Sequence, residues 1–138
     1  WIDTDCEVRT DISEIFAYTM PNKLTMAQDK PWSLRREETW HNSGVVAFQG
    51  CPPILSKWDQ TLKNNHKNGV VPGLNGDQEV LHEIVKLGMN RLIVIEDLPR
   101  QYNTLRIDLI DNSAPSNIKV MHWTGRKGKE EIVRQMND

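Results

Sequence analysis

Two aspartates stand at an i, i+2 spacing near the start of the chain, in Trp1-Ile2-Asp3-Thr4-Asp5-Cys6-Glu7-Val8. Apolar residues lead into them, as at the end of a strand. On a regular strand both carboxylates share one face, because side chains alternate with period 2. At a strand end, a bend brings both to one hard cation. Oxygen ligands of this kind suit Mg²⁺ or Mn²⁺ better than Zn²⁺. The competing reading is that Asp3 and Asp5 cap the turn that follows, since such triplets are common by chance.

The elements around this pair follow from periodicity and punctuation. Thr10-Asp11-Ile12-Ser13-Glu14-Ile15-Phe16 reads as a helix start with an i, i+3, i+4 apolar stripe, broken at Pro21-Asn22. Leu24 to Ala27 reads as a short strand. Gln28 to Thr39 reads as a polar loop long enough to carry function. Asn42-Ser43-Gly44 reads as a turn leading into a buried strand, Val45 to Phe48. Pro52-Pro53 opens a helix with Ile54, Leu55, Trp58 and Leu62 on its apolar face. Asn64 to Gly76 reads as a surface loop, and Asp77-Gln78-Glu79 starts a helix that stops at Gly88.

Arg91 to Ile95 is expected to be a strand, followed by a loop through Leu98-Pro99 and Tyr102-Asn103. Asn117 to His122 alternates and delivers His122 at the C-terminal end of a strand. Gly125 and Gly128 are expected in a flexible turn before a short helix, Glu130 to Met136. Strands alternate with helices, so the class is α/β, with ligands gathering at the carboxyl ends of strands. The expected core is Val45, Val46, Phe48, Leu81, Ile84, Ile93, Val94, Ile95 and Val120. His41, His66 and His82 are expected at the surface, and Trp32, Trp40, Trp58 and Trp123 in packing roles.

A length of 138 residues fits one domain, 1–138, able to bury roughly 68% of its unfolded surface. The chain is 38% hydrophobic and 26% charged with a net charge of -2, which is neither disordered nor strongly basic. Basic residues are dispersed except at Arg126-Lys127-Gly128-Lys129, so no nucleic-acid partner is expected. No apolar run is long enough to span a bilayer and no signal-peptide pattern is present; a cytoplasmic chain is the expectation. Cys6 and Cys51 have no metal-type spacing and read as reduced thiols, with a single disulfide as the alternative.

Five blocks stand in one order: Asp3-Thr4-Asp5, Asn42-Ser43-Gly44-Val45, Gly76-Asp77-Gln78 with Val80-Leu81, Leu98-Pro99 with Tyr102-Asn103, and His122-Trp123-Thr124-Gly125. Together they resemble the metal-dependent, nucleotide-sugar-using glycosyltransferases of the GT-A fold. The nearest likeness is to the retaining kind typified by glycogenin and the bacterial lipopolysaccharide galactosyltransferases.

The resemblance implies a mixed sheet flanked by helices and a Mn²⁺ or Mg²⁺ ion held by Asp3, Asp5 and His122. It implies that Asn42, Ser43 and Gly44 line the donor sugar and that Asp77 and Gln78 lie near the anomeric carbon. Gly125 matches the glycine of the family's terminal motif, and Lys127 or Lys129 takes the place of its diphosphate-binding lysine. The family has a lysine three residues after that glycine, where this chain has Gly128. The implied partners are a nucleotide-sugar donor and a carbohydrate, lipid-linked or protein acceptor.

The chain opens on Trp1 and on what reads as a strand end, so it is expected to be a fragment that lacks the family's base-binding strands. An open sheet edge of that kind favours a homo-oligomer. Two other readings stay open. One is a non-catalytic carbohydrate-binding or interaction module derived from such an enzyme. The other is a phosphatase-like hydrolase with Asp3 as nucleophile and Asp5 as general acid, for which Asp108 and Asp111 make a poor acidic metal pair.

Overall fold

The computed structural model describes residues 1–69, 76–88 and 91–138. Its elements run β1 (Cys6–Val8), β2 (Leu24–Gln28), α1 (Lys30–Arg36), β3 (His41–Ala47), α2 (Pro53–Lys67) and α3 (Asp77–Gly88). They continue with α4 (Arg91–Val94), β4 (Ile95–Asp97), β5 (Thr104–Leu105), α5 (Arg106–Ile110), β6 (Val120–His122) and α6 (Gly125–Met136). Short 3₁₀ turns cover Ser13–Tyr18 and Arg100–Tyr102.

The α/β class holds. The single sheet expected is instead two small mixed sheets, ordered β3-β2-β4 and β1-β6-β5. In the first, β2 runs antiparallel to β3 and parallel to β4. In the second, β6 runs antiparallel to β1 and parallel to β5. The first three residues join the two. Trp1 exchanges hydrogen bonds with Val46 (2.8 and 3.0 Å) and Asp3 N–H donates to Gly44 O (2.8 Å), so this stretch lies along β3. The chain then turns at Thr4-Asp5 and enters β1 beside β6. That turn splits the sheet, and it also sets both aspartates where the two sheets meet.

Among the described residues, two apolar clusters fill the interior. Leu24, Met26 and Val46 pack with Leu81, Ile84 and Val85 of α3 and with Val94 and Ile95. Ile15, Val45, Leu98, Tyr102 and Val120 form the other. Among the expected core residues, Phe48 is only partly buried against the first cluster, and Ile93 is 66% exposed. The reason lies in the 91–95 segment. Its apolar run does not distinguish helix from strand, and strand pairing begins only at Ile95, opposite Leu24. Residues Arg91–Val94 form a helical turn that sends Ile93 outward.

Three further expectations change. Residues expected to form a polar loop after Gln28 contain α1, capped by Asp29, whose carboxylate accepts Trp32 N–H at 3.1 Å, with Pro31 in the first turn. No residue of α1 is buried, so no apolar stripe announced it. Asn42, Ser43 and Gly44 lie inside β3 rather than in a turn, held between β2 and the N-terminal residues. Residues Gly125 to Lys129 form the first turns of α6, because Gly128 packs on the Trp123 backbone with no room for a Cβ. The surface loop expected from Asn64 starts later, since α2 continues to Lys67; residues 70–75 lie outside the described part.

His41 and His82 are buried rather than at the surface. His41 Nε2 lies 2.6 Å from Asp97 Oδ1, and the His82 ring stacks on Trp40 at 3.5 Å between centroids.

Candidate metal centre

His122 ends β6 and is 5% exposed. Its Nδ1 lies 3.1 Å from Asn103 Oδ1. Asn103 donates from Nδ2 to Asn42 Oδ1 (2.9 Å), so its own Oδ1 is free to accept. This assigns the imidazole proton to Nδ1 and leaves the Nε2 lone pair directed outward. Nε2 faces Asp5 Oδ1 at 3.0 Å and Asp3 Oδ2 at 4.0 Å. A lone pair aimed at two carboxylates is repelled unless a cation stands between them. That cation is either a second ring proton or a metal ion. A histidine whose other nitrogen is fixed by an outer partner is the usual form of a metal ligand.

The aspartates are held differently. Asp3 Oδ1 accepts the Trp1 indole N–H at 2.8 Å, which leaves Oδ2 toward His122. Asp5 sits in the turn before β1, and Lys129 Nζ approaches its Oδ2 at 3.5 Å. Of the two lysines expected here, Lys129 therefore reaches Asp5, while Lys127 is exposed on α6.

Cys6 joins the group unannounced. Its Sγ, a ring nitrogen of His122 and a carboxylate oxygen of Asp5 all lie within 4.8 Å of one another. Burial, reinforced by the charges of Asp5 and then Asp3, pushes the Cys6 thiol up to about 12. Both cysteines are free, so the disulfide alternative is not realised.

Beside this group opens a cleft of about 330 Å³, lined by Asp3, Asp5, Asn42, Ser43, Asp77, Gln78, His122, Thr124 and Gly125, with Asp29, Trp32 and Glu79. A continuous polar network shapes its floor. Asp29 is 7% exposed, and its Oδ2 accepts from Asn42 Nδ2 and Gln78 Nε2, each at 3.0 Å. Gln78 Oε1 accepts Ser43 N–H at 3.1 Å. Asp77 Oδ1 accepts the Ser43 hydroxyl (3.2 Å) and Gln78 N–H (2.8 Å), and Trp58 Nε1 donates to the Asp77 carbonyl at 2.9 Å. Asp77 thus accepts at the first turn of α3 through Oδ1 and lines the cleft. Burying a carboxylate such as Asp29 is costly unless donors surround it. Here those donors are the side chains that set the floor.

Gly44 does not line the cleft. It lies behind His122, with its carbonyl accepting Asp3 N–H and its N–H donating to Asn42 Oδ1 at 2.9 Å. The ring of His122 occupies the space that a Cβ would need.

Sequence reasoning missed Asp29, Asn103 and Cys6. Asp29 was hidden in an apparent loop. Asn103 stood in a quoted block without a role. Cys6 gains its place only through the β1–β6 register, which sets it opposite His122. No family model matches this chain, and no curated protein matches it.

Proposed function

We propose that this cleft is the metal and donor-sugar site of a nucleotide-sugar glycosyltransferase of the GT-A kind. The reaction transfers a hexose from a nucleoside-diphosphate sugar to a carbohydrate, lipid-linked or protein acceptor. The two small mixed sheets are then read as part of that fold. The observation that carries the proposal is the His122 ring, with Nδ1 fixed by Asn103 and Nε2 turned to Asp5 and Asp3. Two carboxylates and one imidazole form a donor set that fits Mn²⁺ and, less closely, Mg²⁺.

Electrostatics supports the same reading. The cleft is rimmed by carboxylates of Asp3, Asp5, Asp77 and Glu79. A diphosphate is repelled from such a surface unless a cation compensates the charge. A bound divalent ion supplies that compensation and neutralises the leaving diphosphate as a Lewis acid.

The chain's own groups do the rest. Lys129 stands at the rim, where its ammonium adds a second positive contact for a phosphate oxygen. Thr124 and Gly125 bring the first turn of α6 to the cleft, and N–H groups at a helix start lack intrahelical partners. Ser43 and Asn42 offer polar atoms along the wall for sugar hydroxyls. Asp77, which lines the cleft, is the carboxylate assigned to the sugar, and Gln78 and Ser43 hold it in place.

The direct test is a screen of nucleotide sugars with Mn²⁺, reading release of nucleoside diphosphate. The proposal expects turnover of at least one donor that requires Mn²⁺ and disappears in Asp5→Asn. Turnover that persists without metal, or in Asp5→Asn, contradicts it.

A further inference from the structure

Cys6 and His122 are directly opposed in the antiparallel pairing of β1 with β6. Facing residues in such a pair project to the same side of the sheet, with Cβ atoms about 4.5–5.5 Å apart. Asp5 precedes β1 in a turn, so strand alternation does not bind it to the other face, and its Oδ1 reaches His122 Nε2 at 3.0 Å. Gly44 lies beneath, and its missing Cβ leaves room for the imidazole, while its carbonyl lies 3.8 Å from Cys6 Sγ. The donor atoms of Asp5, Cys6 and His122 fall within 4.8 Å of one another. A tetrahedral ion with bonds of about 2.0–2.3 Å holds its ligands roughly 3.5 Å apart, so small side-chain rotations close this set.

A sulfur, an imidazole nitrogen and a carboxylate oxygen are a different donor set from two carboxylates and an imidazole. The second is hard and suits Mn²⁺ or Mg²⁺. The first is softer and suits Zn²⁺, Co²⁺ or Cd²⁺, with three protein ligands and one open position. Asp5 and His122 belong to both sets, so the two cannot be filled together.

We propose that Asp5, Cys6 and His122 form a thiolate-containing site for Zn²⁺ or a similarly thiophilic divalent ion, and that its occupation excludes the hard ion. The ion replaces the thiol proton, which passes to solvent. The consequence, closure of the donor site by Zn²⁺, rests on the function proposed above; the ligand set itself does not.

The test is carried out first without nucleotide. Co²⁺ is titrated into the wild-type chain, Cys51→Ser and Cys6→Ser, reading the thiolate-to-cobalt charge-transfer absorption, and Zn²⁺ affinity is obtained by competition. The expected result is the absorption band in wild type and Cys51→Ser and its loss in Cys6→Ser. Zn²⁺ affinity in Cys6→Ser should fall by more than the roughly tenfold that even loss of an outer partner costs. A wild-type chain without the band, or Cys6→Ser binding Zn²⁺ as tightly as wild type, overturns the proposal. The band in wild type and Cys51→Ser reads the site even where Cys6→Ser folds poorly. In a second arm, Zn²⁺ is added to the chain stabilised by Mn²⁺ and uridine diphosphate. Loss of that stabilisation supports exclusion, and its persistence at saturating Zn²⁺ overturns it. Zn²⁺ binding through Cys6 with no response to Mn²⁺ and diphosphate leaves the ligand set standing and removes the glycosyltransferase reading.

Discussion

The imidazole of His122 rests against Gly44, in the space that the Cβ of any other residue would fill. The contact joins the two sheets at the candidate metal centre, since Gly44 belongs to β3 and His122 to β6. Gly44→Ala should therefore displace the ring and weaken the fold. Overpacking of this kind costs about 1–3 kcal/mol. Urea denaturation measures the cost, and the His122 imidazole resonances report the displacement. A variant as stable as wild type with an unmoved ring would contradict the account of this contact.

Asn103 is the outer partner that fixes His122. It bridges His122 Nδ1 and Asn42 Oδ1, and it is 1% exposed. Asn103→Leu leaves both groups buried without that bridge. An unmet buried polar group costs about 1–3 kcal/mol. Freed to rotate or change tautomer, His122 should bind metal roughly 10–100-fold more weakly. Titration of Mn²⁺ in the presence of a nucleoside diphosphate reads this directly, and unchanged affinity would count against the assigned tautomer.

The two core substitutions separate burial from apolarity. Leu81 is 2% exposed in α3, whereas Ile93 is 66% exposed. Leu81→Ala should cost about 2–5 kcal/mol. Ile93→Ala should stay within about 0.5 kcal/mol of wild type. Equal losses at the two positions in urea denaturation would show that the 91–94 turn is placed wrongly.

The cysteines should differ in reactivity. Only the thiolate is alkylated, and burial beside Asp5 and Asp3 pushes the Cys6 thiol up to about 12. At pH 8 it remains protonated, and raising the pH to 9 still leaves it so. Cys51 is exposed. Iodoacetamide followed by peptide mass spectrometry should mark Cys51 and spare Cys6 throughout that range. Early modification of Cys6 would contradict the burial of its thiol beside Asp5 and Asp3.

The sequence made some of this legible. The spacing of Asp3 and Asp5 singled out the pair that faces His122, and the buried strand from Val45, the helix from Asp77 and the strand ending at His122 followed from apolar patterning. Other parts depend on pairings between distant residues. Cys6 meets His122 only through a strand register, and Asp29 meets Asn42 and Gln78 across three elements. No residue of helix α1 is fully buried, so periodicity could not reveal it. Ile93 sits in an apolar run whose conformation is decided by where β4 begins to pair with β2. Local patterns placed His122 at a strand end; tertiary contacts chose its neighbours.

The central claim is that Asp3, Asp5 and His122 hold a divalent ion that carries a diphosphate. The most direct measurement is the melting temperature of wild type, Asp3→Ala and Asp5→Ala with Mn²⁺ and a nucleoside diphosphate together. Ligand at a hundredfold excess over its dissociation constant stabilises by about 2.7 kcal/mol. For a chain of this size that is a rise of roughly 10 °C. The account predicts this rise in wild type and its absence in both variants. An equal rise in all three, or none in wild type, would contradict it.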